Sequence, residues 1–247
     1  MLIISHRGDT RRAPENTLDA FRSALAWGVD GIETDVRLTV TGEAILYHNR
    51  IAPSGDHVDE LTREQLSQQV GFEVPTIAAA LELSDRILWN LEIKTPTAIE
   101  ATIAHLEPFL RSHRVLITSF WHCLMQTMSQ RLDVDFGLLI SHHPIQFPLP
   151  AAADDVGVPR LKALAWNYEW LEPAFVEEAN RRGLQNIVWN VESRREHEHC
   201  RQLGVFAVIT DHLDRAGLTS PETAAAHRAP ACTPLPSEHT SPTVPAE

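Results

Sequence analysis

The constraint that most limits this chain is a repeated alternation of two hydrophobic patterns. Short apolar runs read as strands at Leu2–Ser5, Asp30–Val36, Ile87–Ile93, Val115–Phe120, Phe136–Ile140, Leu161–Trp166, Gln185–Val191 and Val205–Thr210. Segments of helical spacing follow at Thr17–Trp27, Ile77–Leu83, Pro96–Leu110, Leu124–Leu132, Pro173–Arg182 and Arg194–Leu203. A further run, Ala44–His48, reads as an extra strand close behind the second. Alternating strand and helix signals predict a parallel sheet covered by helices, because a parallel connection needs a crossover long enough to hold a helix. Eight such units fit an α/β fold of the (β/α)8 TIM-barrel type, with a doubly wound open sheet as the alternative.

The position of the polar residues favours the barrel. Strands end on His6, on Glu33 and Asp35, on Glu92 and Lys94, and on Ser119, Ser141, Asn167, Asn190, Thr210 and Asp211. A barrel gathers these ends on one face, whereas an open sheet spreads them along a line. The barrel is expected over residues 1–217. From 218 to 247 the chain carries six of its 16 prolines, much Ser, Thr and Ala, and almost no large apolar side chain. That composition predicts a disordered tail, since little apolar surface is on offer to offset the entropy of ordering.

Composition excludes several classes. A net charge of −12 argues against a nucleic-acid binder, which needs a basic footprint. Three cysteines without a CxxC pair imply no disulfide framework. The first residues lack a basic n-region and a long apolar run, and the longest uncharged stretch, 136–153, holds two histidines and three prolines. The expectation is a cytoplasmic protein without a membrane span.

Glu33 and Asp35 stand two apart at a strand end, so their side chains share a face. Glu92 and Lys94 repeat the spacing one unit later. Three converging carboxylates without cysteine suit a hard divalent cation, Mg2+ or Ca2+, rather than zinc. The same residues also fit a charged rim paired with arginines. Arg7, in His6-Arg7-Gly8, offers a planar fork for an anion. His6 and His48 titrate near neutrality and suit proton transfer. In Pro14-Glu15-Asn16-Thr17, Asn16 reads as the cap of the first helix, while Glu15 is an acid facing the same mouth. Phe136–Pro150, with Ile145, Phe147 and Leu149, reads as a candidate apolar flap.

With these strings assembled, the sequence resembles the glycerophosphodiester phosphodiesterase family. The resemblance rests on His6-Arg7-Gly8, Pro14-Glu15-Asn16-Thr17, Gly31-Ile32-Glu33-Thr34-Asp35-Val36, His48, Val74-Pro75-Thr76, Glu92-Ile93-Lys94, Thr118-Ser119-Phe120 and Ile209-Thr210-Asp211, in family order. It implies a barrel that hydrolyses a small-molecule glycerophosphodiester to glycerol 3-phosphate and an alcohol, through the substrate's own vicinal hydroxyl and a cyclic phosphate. By the resemblance, Glu33, Asp35 and Glu92 are metal ligands for one divalent cation, and His6 and His48 are the acid–base pair. Arg7 and Lys94 bind phosphate, Glu15 adds an acid at the metal or glycerol site, and Trp189 is an apolar wall for substrate. Two positions depart from the family pattern: Asn49 stands where Asp is usual, and Trp189-Asn190-Val191-Glu192 stands where Trp-Thr-Val-Asn is usual. The alternatives are the same chemistry on a lysophospholipid or sugar phosphodiester, or a barrel that binds such diesters without turnover.

Overall fold

The apolar runs pair as parallel strands because each is flanked by polar turns and buried on both faces. A computed structural model describes residues 1–149 and 157–223. The strands are β1 (Leu2–His6), β2 (Gly31–Leu38), β3 (Ala44–Leu46), β4 (Leu88–Ile93), β5 (Arg114–Ser119), β6 (Asp135–Ile140), β7 (Leu161–Asn167), β8 (Gln185–Trp189) and β9 (Ala207–Thr210). The helices are α1 (Leu18–Ala26), α2 (Arg63–Val70), α3 (Ile77–Leu81), α4 (Ile99–Leu106), α5 (His122–Ser129), α6 (Pro173–Arg181) and α7 (Arg194–Gln202). The sheet runs β1-β9-β8-β7-β6-β5-β4-β2, and β1 pairs with β2 to close it. All eight of these strands are parallel to their neighbours, while β3 lies antiparallel on β2 outside the ring. This is a (β/α)8 barrel, as the alternation predicts.

The period of two along each strand divides the core. Ile3, Ile32, Trp89, Ile117, Leu164 and Val188 point outward under the helices. Ile4, Leu88, Leu116, Leu139, Ala165, Ile187 and Ile209 fill the interior. Following the inward positions to the C-terminal ends carries Ile4 to His6, Leu88 to Asn90, Glu92 and Lys94, Leu116 to Thr118 and Phe120, Ile187 to Trp189, and Ile209 to Asp211. The inner core therefore turns polar at one end, and the strand periodicity builds the site. Gly31 heads the corresponding series in β2; a Cβ there would stand 2.7 Å from the Leu88 carbonyl oxygen, so only glycine lets β2 approach β4 this closely.

Several boundaries differ from the sequence reading. The span 96–110 is not one helix: a 3-10 turn at Pro96–Ala98 precedes α4 and another at Glu107–Phe109 follows it. β3 stops at Leu46, leaving His48 in the loop beyond. α2 has no counterpart among the helical-spacing segments; it is closed at its start by a Thr62–Gln65 capping box and at its end by Gly71 at φ 79°. Phe147 packs toward Trp166 and Phe175 at the edge of the outer core rather than over the mouth, and Ile145 is fully exposed. Of the expected tail, residues 224–247 lie outside the described residues. Leu218 still packs on the outer core, and Glu222 pairs with Arg12.

Candidate active site

The C-terminal ends of the strands surround a cavity of about 290 Å3. One wall is charged, with His6, Arg7, Glu33, Glu92 and Lys94; the other is more apolar, with Phe120, Leu139, Trp189 and Ile209. Phe120 meets Trp189 edge to face at 6.1 Å between ring centres, and Trp189 is held by its indole N–H donating to the Ala165 carbonyl at 3.2 Å.

β2 and β4 bring the acids together. One oxygen from each of Glu33, Asp35 and Glu92 lies within 4.8 Å of the others, and all three residues are buried. Such proximity disfavours three simultaneous negative charges. Burial and the nearby Asp35 push the Glu33 carboxyl up to about 8. Glu92 is also raised, by burial that outweighs the Lys94 ammonium. Burial opposes ionisation of Asp35 too, but Lys94, Arg7 and a hydrogen bond from Asn16 outweigh it and hold that carboxyl below its usual range. Lys94 Nζ lies 2.7 Å from Glu92 Oε1 and 3.0 Å from Asp35 Oδ1, while Arg7 Nε lies 2.9 Å from Asp35 Oδ2.

These ion pairs do not saturate the cluster. Glu33 Oε2 accepts no hydrogen bond, and the Lys94 contact to Asp35 Oδ1 lacks hydrogen-bond alignment. Among the described residues, this is the buried group of side chains able to hold a metal. Its oxygen donors, its excess of acid and the Glu33 oxygen that lacks a hydrogen bond, with His6 Nε2 3.9 Å away, fit a hard divalent cation.

Three residues outside the expected ligand set shape it. Asn16 adopts φ 58° and is not the helix cap; that role belongs to Thr17, which accepts from the Ala20 amide. The Asn16 side chain instead crosses to β2, donating to Asp35 Oδ2 at 2.8 Å and accepting from Thr34 Oγ1 at 2.6 Å. Arg7, at φ 56°, is anchored by its amide donating to the Glu33 carbonyl at 2.9 Å and by Nη1 donating to Glu15 at 2.9 Å. Asp211, legible in sequence only as a strand-end acid, receives His6 Nδ1 at 3.1 Å on each oxygen.

The two histidines differ in environment. Burial works to lower His6, but the Asp211 hydrogen bond and the charges of Glu33 and Asp211 outweigh it, and its pKa is raised. For His48, burial dominates and, with Arg7 and Lys94, outweighs Asp35 to lower it. His48 Nδ1 donates to Asn49 Oδ1 at 3.1 Å, a neutral partner where the family pattern has a carboxylate. Glu15 does not line the cavity; it contacts the site through Arg7. His143 pairs with Glu172 on the outer loops, and neither it nor His142 reaches the cavity.

Residues 6–215 match the model of the glycerophosphoryl diester phosphodiesterase family. A probable glycerophosphodiester phosphodiesterase 1 from Mycobacterium tuberculosis is 46% identical, over 86% of this chain and 90% of that protein. A glycerophosphodiester phosphodiesterase from Caldanaerobacter subterraneus is 29% identical over 85% and 93%. Among solved structures, a Thermotoga maritima glycerophosphodiester phosphodiesterase superposes with a TM-score of 0.72 at 24% identity, covering 87% of this chain and 96% of that one. An Oleispira antarctica phosphodiesterase in complex with its product sn-glycerol-3-phosphate has a TM-score of 0.75 at 18% identity, covering 93% and 97%. With this barrel and the family match spanning nearly the whole of it, the chain belongs to the glycerophosphoryl diester phosphodiesterase family.

Proposed function

We propose that the protein hydrolyses glycerophosphodiesters to glycerol 3-phosphate and an alcohol, with Glu33, Asp35 and Glu92 holding one divalent cation, Mg2+ or Ca2+. The observation that carries this reading is the buried carboxylate trio, with a Glu33 oxygen that accepts no hydrogen bond, set beside Arg7, Lys94 and two histidines at one barrel end. When bound, such a cation neutralises charge on phosphoryl oxygens. Arg7 and Lys94 line the same cavity and orient those oxygens, and Glu15 holds the Arg7 fork in place. Trp189, with Phe120, gives the substrate an apolar wall.

The raised pKa of His6 and the lowered pKa of His48 divide the proton work. His6, its Nδ1 held by Asp211, is the protonated partner and gives its Nε2 proton to the leaving oxygen. His48, neutral near pH 7, takes the proton of the attacking hydroxyl. That hydroxyl belongs to the substrate's glycerol, which yields a cyclic phosphate that water then opens.

Steady-state kinetics of His6→Ala and His48→Ala test the assignment. Each is expected to lower kcat by ~10²–10⁴ with the fold retained, and the double variant to lose less than the product of the two. Turnover near the parent's in His48→Ala removes His48 from the proton transfers.

A further inference from the structure

Between β3 and α3 the chain makes an excursion that the strand-and-helix alternation does not account for. It has its own core of Ile45, Ala52, Val58, Leu61, Leu66 and Val74. A bridge between Ile51 and His57, and the Val58 amide donating to the Arg50 carbonyl at 3.0 Å, fix its tip. Arg50 is therefore presented from a packed segment.

Between this excursion and the barrel lies a second cavity of about 270 Å3, walled by Arg37, Arg50, His57, Asp59, Lys94 and Trp121 among others. It adjoins the catalytic cavity, because Lys94 lines both. The consecutive residues Phe120 and Trp121, 42% and 51% exposed, face one cavity each. The wall is cationic in a chain of net charge −12: Arg37, Arg50 and Lys94 stand against Asp59 alone. The Lys94 ammonium is already engaged by Asp35 and Glu92. The two guanidiniums form no such contact pair, although Asp35, Glu92 and Asp59 act on Arg37 from farther off. Among the described residues neither Arg37 nor Arg50 has a carboxylate within 4.0 Å, and Arg37 spends one N–H, Nε, on the His48 carbonyl at 2.7 Å. Most other arginines near the barrel mouth, such as Arg7, Arg11 and Arg12, are ion-paired. Two guanidiniums lining one concavity match an oxyanion, which accepts several N–H donors.

We propose that this cavity is an anion subsite for a second negatively charged group on the substrate, so that the preferred glycerophosphodiesters are those whose alcohol carries a phosphate or carboxylate. The inference rests on reading the adjoining cavity as the glycerophosphodiester site. A neutral alcohol leaves both guanidiniums without an anion in contact, and a cationic one meets repulsion.

The test uses three glycerol 3-phosphoryl esters: of ethylene glycol, of ethylene glycol monophosphate, and of 3-hydroxypropionate. The parent protein is expected to show kcat/KM at least about tenfold higher for the phosphate-bearing ester than for the neutral one, carried by KM. In Arg50→Gln this ratio should fall to near one. A preference shared by the carboxylate ester identifies a general oxyanion site, and one confined to the phosphate ester identifies a phosphate site. A ratio near one in the parent, or a ratio unchanged in Arg50→Gln, overturns the subsite while leaving glycerophosphodiester hydrolysis standing. Calorimetric binding of the same esters to chelated protein separates the two failures. Tighter binding of the charged esters, lost in Arg50→Gln, supports the subsite even if none is cleaved; equal Kd values overturn it.

Discussion

The Asn16 side-chain amide donates to Asp35 Oδ2 at 2.8 Å, joining the loop after β1 to the carboxylate at the heart of the β2 cluster. The link closes a small buried network, since Asn16 Oδ1 also accepts from Thr34 Oγ1 and the Asp35 amide. It explains why the residue directly after the Pro14-Glu15 pair sits at φ 58°.

Substituting Asn16 by Ala leaves Thr34 without its acceptor and puts an L side chain without a local hydrogen bond in the left-handed region. The expected cost is about 2–4 kcal/mol, read as a lowered Tm. Asn16→Asp adds a fourth buried acid and should raise the carboxyl pKa values further, weakening cation binding below pH 8. A Tm and cation affinity unchanged in both variants would contradict the network.

Cation binding should carry a proton signature. With Glu33 raised to about 8, the cation-free site holds that proton at pH 7 and must release it to bind. Affinity is expected to rise about tenfold per pH unit from pH 6 to 8 and then level. Calorimetry in buffers of different ionisation enthalpy measures the released proton, which Glu33→Gln should abolish. The same shift predicts that cation-free protein loses stability as pH rises. A carboxyl whose folded pKa is raised contributes fully below its unfolded value, ~4.3, and loses that contribution as pH climbs toward 8. Added Mg2+ or Ca2+ should restore Tm at pH 8.

Asp211→Asn removes the acceptor charge behind His6. The His6 pKa should fall, detectable by NMR of its ring protons, and the alkaline limb of the kcat profile should move down with it. A merely structural Asp211 would leave both in place while lowering Tm.

Much of this site is legible in the sequence because buried parallel strands are apolar runs with abrupt polar ends. The period of two then aligns Glu33 with Asp35 and Glu92 with Lys94 before any coordinates are known. The contacts that sequence spacing does not reveal are non-local. Asn16 looks like a helix cap because Asn favours that position, and its true partner lies 19 residues away on β2. Asp211 directly follows the last strand and meets His6 only when the barrel closes through β1 and β9. The helix α2, Arg63-Glu64-Gln65-Leu66-Ser67-Gln68-Gln69-Val70, buries only Leu66, so its apolar periodicity is too weak to read. Likewise, apolar spacing cannot distinguish the 3-10 turns flanking α4 from α-helix.

The most direct measurement is product analysis of purified protein with a glycerophosphodiester, with and without chelator. The account predicts glycerol 3-phosphate and free alcohol in equal amounts, a phosphorus NMR signal from a transient cyclic phosphate, loss of turnover on chelation, and recovery on adding Mg2+ or Ca2+. Full turnover in chelated protein, or no glycerol 3-phosphate under any divalent cation, would contradict it.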